Sequence, residues 1–178
     1  MKIKYFAYGS NMCSGRLRDR VPCEFVAIAK LTSHQLRFHK LSKKDHSSKC
    51  DAFRTGVATD EVWGVVYDIP ASKKPVLDAF EGLGYGYHDS EVLVTLSSGG
   101  QLAARTYTAA PKFIRTGLAP YTWYKAYVQA GAIEHGLPLE YVAASIEPVA
   151  AGTDPDKERH GEEAAKLCAW TAKDSPIP

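Results

Sequence analysis

The chain has 178 residues, 45% hydrophobic and 24% charged, which fits one soluble globular unit with a sizeable core. Its 22 lysines and arginines against 20 acidic residues leave a formal charge of +2, spread along the sequence rather than gathered into a nucleic-acid-binding face. No apolar run has the length a bilayer requires, so no membrane partner is expected.

Lys2 to Tyr8 reads as an apolar strand that runs into the turn Gly9-Ser10-Asn11. Asn11 to Asp19 follows as a short helix capped by Ser10 or Asn11. Phe25 to Leu31 and Gln35 to His39 read as two further strands. The locally basic stretch Lys40 to Lys49, with its polar segment Ser42 to Ser48, reads as a solvated loop. Gly56 to Thr59 and Glu61 to Ile69 come next. Val62-Trp63-Gly64-Val65-Val66-Tyr67 is the nearly continuous apolar run of a strand buried on both faces.

Pro70 ends that strand, and Ser72 is placed to cap a helix that reaches about Glu81. Tyr87 to Thr95 and Leu102 to Tyr107 flank Ser97-Ser98-Gly99-Gly100, a hairpin signal. Pro120 opens a helix through about Glu134, closed by Gly136. Pro138 starts another, which Pro148 stops after Ile146. From Gly152 the chain is charged, with a helix near Glu162 to Trp170. Six or so strands before a mostly helical last third define an α+β class. Their close spacing and glycine turns suggest a small, closed or partly closed β-barrel surrounded by α-helices, with a mouth able to hold a ligand.

Cys13, Cys23, Cys50 and Cys168 form no Cys-x-x-Cys pair, and His34 and His39 lie five apart, so neither a metal site nor a cofactor is expected. Without an export signal the thiols read as reduced and the protein as cytoplasmic.

Glu81 is the sharpest chemical candidate. It stands between Phe80 and Gly82 in the last turn of a helix, where the macrodipole disfavours a carboxylate by roughly 0.3–1 kcal/mol. It also flanks the apolar positions Val76, Leu77 and Phe80. Both placements raise the proton affinity of a lone carboxylate, the direction a proton acceptor at neutral pH requires. The alternative is a solvated glutamate before a capping glycine.

Tyr8 to Asn11 forms the second candidate, a strand end whose successive amides can hold a carboxylate or an oxyanion. A structural turn is the alternative. Tyr-Gly-Ser-Asn-Met is not a Gly-x-Ser-x-Gly elbow, and no histidine is spaced to activate Ser10, so a serine hydrolase is not indicated. Tyr85, Tyr87, Tyr121, Trp123, Tyr124 and Tyr127 cluster about the helix ends and can pack the core or orient a ligand.

Taken together, Tyr8-Gly9-Ser10-Asn11, Val62-Trp63-Gly64-Val65-Val66-Tyr67, Phe80-Glu81-Gly82 and Gly136-Leu137-Pro138-Leu139-Glu140-Tyr141 with Ile146-Glu147-Pro148 resemble the gamma-glutamylcyclotransferase family. The resemblance runs from about Lys2 to Pro148. It implies a catalytic unit over residues 1–150, followed by a charged, partly helical tail over 151–178.

It further implies cleavage of a small-molecule γ-glutamyl substrate to 5-oxoproline and an amine or amino acid, with Glu81 as acid/base. Tyr8, Gly9, Ser10, Asn11, Tyr87 and Tyr124 become the implied substrate-binding residues. No cofactor is implied, and a homodimer is left open. Met12 stands where many members carry leucine, and Leu83-Gly84-Tyr85-Gly86 and the linker Ser42 to Asp51 follow no family pattern. The competing readings are a γ-glutamylamine cyclotransferase, an enzyme of a γ-glutamylated biosynthetic intermediate, and a barrel that binds a small anion without turnover. A module that docks a partner through the tail is a fourth.

Overall fold

A computed structural model describes residues 1–173 of the chain. β1 (Lys2–Ala7) leads through a 3-10 turn (Ser10–Met12) into the short helix α1 (Ser14–Arg18). After β2 (Glu24–Thr32) come β3 (His34–Leu41), β4 (Ser48–Arg54) and β5 (Glu61–Pro70). Helix α2 (Lys74–Glu81) separates β5 from β6 (Tyr87–Leu96) and β7 (Gln101–Ala109). Three helices finish the described chain: α3 (Thr122–Glu134), α4 (Leu139–Ser145) and α5 (Lys157–Lys173).

Five strands close into a barrel in the order β1-β5-β2-β6-β7. The pairings are antiparallel except the closing one, a parallel contact between Tyr5 of β1 and Arg105 of β7. β5 is flanked by β1 and β2, and buries Val62, Val65, Val66, Tyr67 and Ile69. That double burial explains an apolar run with no polar alternation. Closure also removes the free edges that would otherwise invite pairing with another chain.

The expected solvated loop after His39 is instead the turn of a second sheet. β3 and β4 pair as a separate antiparallel hairpin, from His34↔Arg54 to Leu41↔Ser48. Its turn is only half solvated: Ser42, Asp45, Ser47 and Ser48 are buried, while Lys43, Lys44 and His46 are exposed. The Asp45 carboxylate organises it, accepting the Ser47 N–H at 3.1 Å and pairing with the Lys49 ammonium at 2.7 Å. Lys49 also lies 4.6 Å from the Tyr124 ring centre and 4.8 Å from that of Trp123. Burial pulls the Lys49 ammonium down to about 8, with Asp45 opposing the shift. Charged side chains that pair with one another and with aromatic faces fold a segment that composition alone marks as loop.

The N-terminal helix is also shorter than expected. It breaks into the 3-10 turn and α1 because Cys13 takes an extended conformation. The Met12 carbonyl accepts the Tyr67 hydroxyl at 2.7 Å. No side-chain cap from Ser10 or Asn11 forms, and Ser72 likewise does not cap α2, which a 3-10 turn over Ala71–Lys73 precedes. The predicted helices near Pro120–Glu134 and Pro138–Ile146 are α3 and α4.

α3 holds the N-terminal turn in place. A Cβ built at Gly131 would stand 2.3 Å from the Cys13 nitrogen and 2.4 Å from the Met12 carbonyl carbon, so only glycine admits this approach. On the other side, Glu163 of α5 pairs with Arg16 at 2.9 Å and accepts the Tyr127 hydroxyl at 2.8 Å. The segment that carries Asn11 and Arg20 is thus gripped between α3 and α5.

Two tests follow from this packing. Gly131→Ala should destabilise the fold by about 1–3 kcal/mol through overpacking, measured as a lower urea midpoint at unchanged slope. The thiols supply the other. Burial pushes Cys50 up to about 12 and Cys23 up to about 11, and raises Cys13, while Cys168 is exposed. In the native protein at pH 8, iodoacetamide should therefore modify Cys168 first and reach the other three mainly after unfolding. Because the folded thiols hold protons that an unfolded chain releases near pH 9, their stabilising contribution is complete below that pH and declines as pH rises toward 11. Urea unfolding at pH 8 and pH 10 measures the decline.

Candidate active site

β1 and α2 end side by side. The β1 strand delivers Tyr8 and the Gly9–Met12 turn, closed by the Met12 N–H donating to the Gly9 carbonyl at 2.9 Å. α2 delivers Glu81 in its last turn, and Gly82 ends the helix in the left-handed conformation at φ 68°. A small cleft opens between them. Tyr8, Gly9, Ser10, Asn11, Glu81, Tyr87 and Tyr124, all singled out in the sequence, line this one cleft. Tyr5, Cys50 and Tyr107 complete the lining.

Glu81 is not a lone carboxylate. Its Oε1 accepts the Asn11 amide nitrogen at 2.8 Å and the Arg20 guanidinium at 2.7 Å. The same Arg20 nitrogen donates to the Asn11 carbonyl oxygen at 2.9 Å, so the three side chains form a closed triangle. Asn11 extends it by donating to the Tyr5 hydroxyl at 3.0 Å. Arg20 packs across the Phe80 ring, 5.3 Å from its centre. Burial lowers the proton affinity of the Arg20 guanidinium, and the Glu81 charge opposes that shift. A charge-assisted pair here offsets the unfavourable helix C-terminus. Both bonds fall on Oε1; Oε2 receives no hydrogen bond from the described residues.

Cys50 holds two of the tyrosine walls through its backbone. Its N–H donates to the Tyr124 hydroxyl at 3.0 Å, and its carbonyl accepts the Tyr87 hydroxyl at 2.6 Å. The Tyr8 hydroxyl donates to the Tyr107 carbonyl, and the Tyr107 hydroxyl to Asp78 at 2.7 Å. Burial raises the Tyr5, Tyr8, Tyr87, Tyr107 and Tyr124 hydroxyls above the ordinary phenol range, so each stays a neutral donor or acceptor at physiological pH. Among the described residues, no group of three or more His, Cys, Asp or Glu side chains could hold a metal ion.

Four participants carry no clear signal in the sequence. Arg20 sits in the ordinary basic run Arg16-Leu17-Arg18-Asp19-Arg20, with nothing to tie it to a glutamate 61 positions away. Cys50 acts through main-chain atoms, which leave no sequence trace. Tyr5 and Tyr107 stand out only as strand aromatics.

The AIG2-like family profile matches residues 61–144, the span that includes Glu81. A gamma-glutamylcyclotransferase of Bos taurus is 36% identical over 154 residues, covering 81% of this chain and 78% of its own. Its Homo sapiens counterpart is 35% identical over 145 residues, covering 77% and 73%. A solved structure named gamma-glutamyl cyclotransferase superposes with a TM-score of 0.78 at 30% identity, covering 93% of this chain and 99% of that one. Likeness of this extent in sequence and in fold identifies the chain as a member of the gamma-glutamylcyclotransferase family.

Proposed function

We propose that this protein is a gamma-glutamylcyclotransferase-type enzyme that cleaves a small γ-glutamyl amide by intramolecular aminolysis, with Glu81 as the acid/base. One observation carries the reading: the Glu81 carboxyl and the Gly9–Asn11 turn border the same cleft, bridged by the Asn11–Glu81 hydrogen bond at 2.8 Å.

The chemistry needs few groups. The substrate's α-ammonium gives a proton to Glu81 Oε2, the oxygen that the Arg20–Asn11 triangle leaves open. The freed α-nitrogen attacks the γ-carbonyl carbon and closes a five-membered ring. The carbonyl electron pair moves onto oxygen, where the amides of the Gly9–Asn11 turn can stabilise it. Collapse of this intermediate breaks the bond to the leaving nitrogen, which takes the proton back from Glu81. The ring nitrogen passes its remaining extra proton by way of Glu81 to the departing amine, which leaves as an ammonium. The products are 5-oxoproline and a free amine or amino acid. Orienting two groups already on one molecule is worth roughly 7–11 kcal/mol, so neither an enzymic nucleophile nor a metal is called for. Losing one oxyanion donor in such sites typically costs about 2.7–4 kcal/mol.

Arg20 and Asn11 act as positioning residues that fix which carboxyl oxygen faces the ligand. The buried, neutral tyrosines exclude water and orient the glutamyl chain by hydrogen bonding. A passive anion binder would gain nothing from a carboxylate on its cleft wall, which favours turnover over binding alone. This reading takes a cytoplasmic setting and glutathione metabolism as its context, and no helix among the described residues is long and apolar enough to cross a membrane. The same reading takes the substrate, not nucleic acid, as the partner, and a homodimer as the assembly to test by light scattering.

Glu81→Gln keeps the side chain's shape and its bonds from Asn11 and Arg20 within reach, but cannot accept the proton. We expect kcat for 5-oxoproline release from γ-glutamyl-alanine to drop by about 10²–10⁴-fold, with circular dichroism unchanged. A folded variant that keeps more than half the activity would remove Glu81 from the mechanism.

A further inference from the structure

Lys40 lies on β3, opposite Lys49 in the β3–β4 hairpin. It is only 9% exposed. Its ammonium lies 4.5 Å from the centre of the Tyr87 ring, one wall of the cleft. It also packs against the segment just after Glu81: a Cβ at Gly86 would stand 2.7 Å from both Lys40 Cε and Nζ.

Among the described residues this ammonium has no carboxylate partner and no hydrogen bond, whereas three other cations around the cleft are committed. Arg20 pairs with Glu81, Lys49 with Asp45, and Arg16 with Glu163. Nζ is not sealed from solvent. Burial lowers its proton affinity, while Glu81 and then Asp45 pull it back up, so the ammonium feels the proposed catalytic carboxylate.

A desolvated ammonium without a counter-ion is costly to keep unless something supplies the missing anion. The cleft lining contains one charged side chain, Glu81, and no cation. A leaving amino acid brings a carboxylate that this lining cannot pair. A leaving amine brings none. Lys40, against the Tyr87 wall and beside Gly86, is the unpaired cation next to that lining.

We propose that the Lys40 ammonium binds the carboxylate of the amino acid that leaves, making it the residue that selects γ-glutamyl amino acids over γ-glutamylamines. This rests on the cyclotransferase reading above. It also gives the β3–β4 hairpin a role, since its partly buried turn fixes the strand on which Lys40 stands.

The test compares γ-glutamyl-alanine with γ-glutamyl-alaninamide, which differ only in that carboxylate, by kcat/KM for 5-oxoproline release. The wild-type protein should favour the free acid by about 10- to 100-fold, the scale of a charge-assisted contact. Lys40→Met should collapse this ratio toward one, and Lys40→Arg should largely restore it. Gly86→Ala, which crowds only the end of a flexible side chain, should lower the ratio as well. A wild-type ratio near one, or a ratio unmoved in folded Lys40→Met, overturns the assignment while leaving the cyclotransferase reading intact. Release of 5-oxoproline from neither substrate by the wild-type protein overturns both.

Discussion

The site is organised by the way one carboxylate is paired at a helix end that opposes negative charge. Glu81 sits at the negative end of α2, partly buried, and neither feature suits an anion. Arg20 and Asn11 resolve this by converging on Oε1 from the segment that follows β1. Because each of the three groups bonds the other two, none can swing away alone. Leaving one partner without the others would strand a buried charge, so the arrangement favours all or nothing. The triangle therefore fixes the helix end to the strand end, and the cleft is what lies between them.

Much of the remaining architecture keeps those two ends still. Gly131 lets α3 touch the backbone of the N-terminal turn, and α5 pins Arg16 from the opposite side. β4 supplies the Cys50 peptide that anchors Tyr87 and Tyr124. These tyrosines come from a barrel strand and from a helix packed outside it, and a single residue of the hairpin joins them. Preorganised donors of this sort lose little by reorganisation when charge develops on a ligand.

The barrel was legible in the sequence because its signals are local. The apolar run of β5, the glycine turn after β1 and the prolines that bracket α4 each act over a few residues. Glu81 and Tyr8–Asn11 were legible because a carboxylate before a capping glycine and a strand ending in Gly-Ser-Asn are unusual in place and type. β4 was not, since Ser47, Ser48, Lys49 and Asp51 look like solvated chain. There the charged groups pair with one another: Asp45 with Lys49, and His39 with Asp51 at 2.8 Å. Arg20 was not legible either, because an ion pair across 61 positions depends on the finished fold. Long-range polar complementarity leaves no periodic trace, whereas apolar faces do.

The bare Oε2 of Glu81 bears on the end of the catalytic cycle under the proposed chemistry. Ring closure turns an ammonium into a neutral lactam N–H and frees the second fragment as a separate molecule. The attraction that drew the α-ammonium toward that oxygen thus vanishes for the lactam, and the positive charge passes to the departing amine. Release of the lactam is then favoured by the reaction itself.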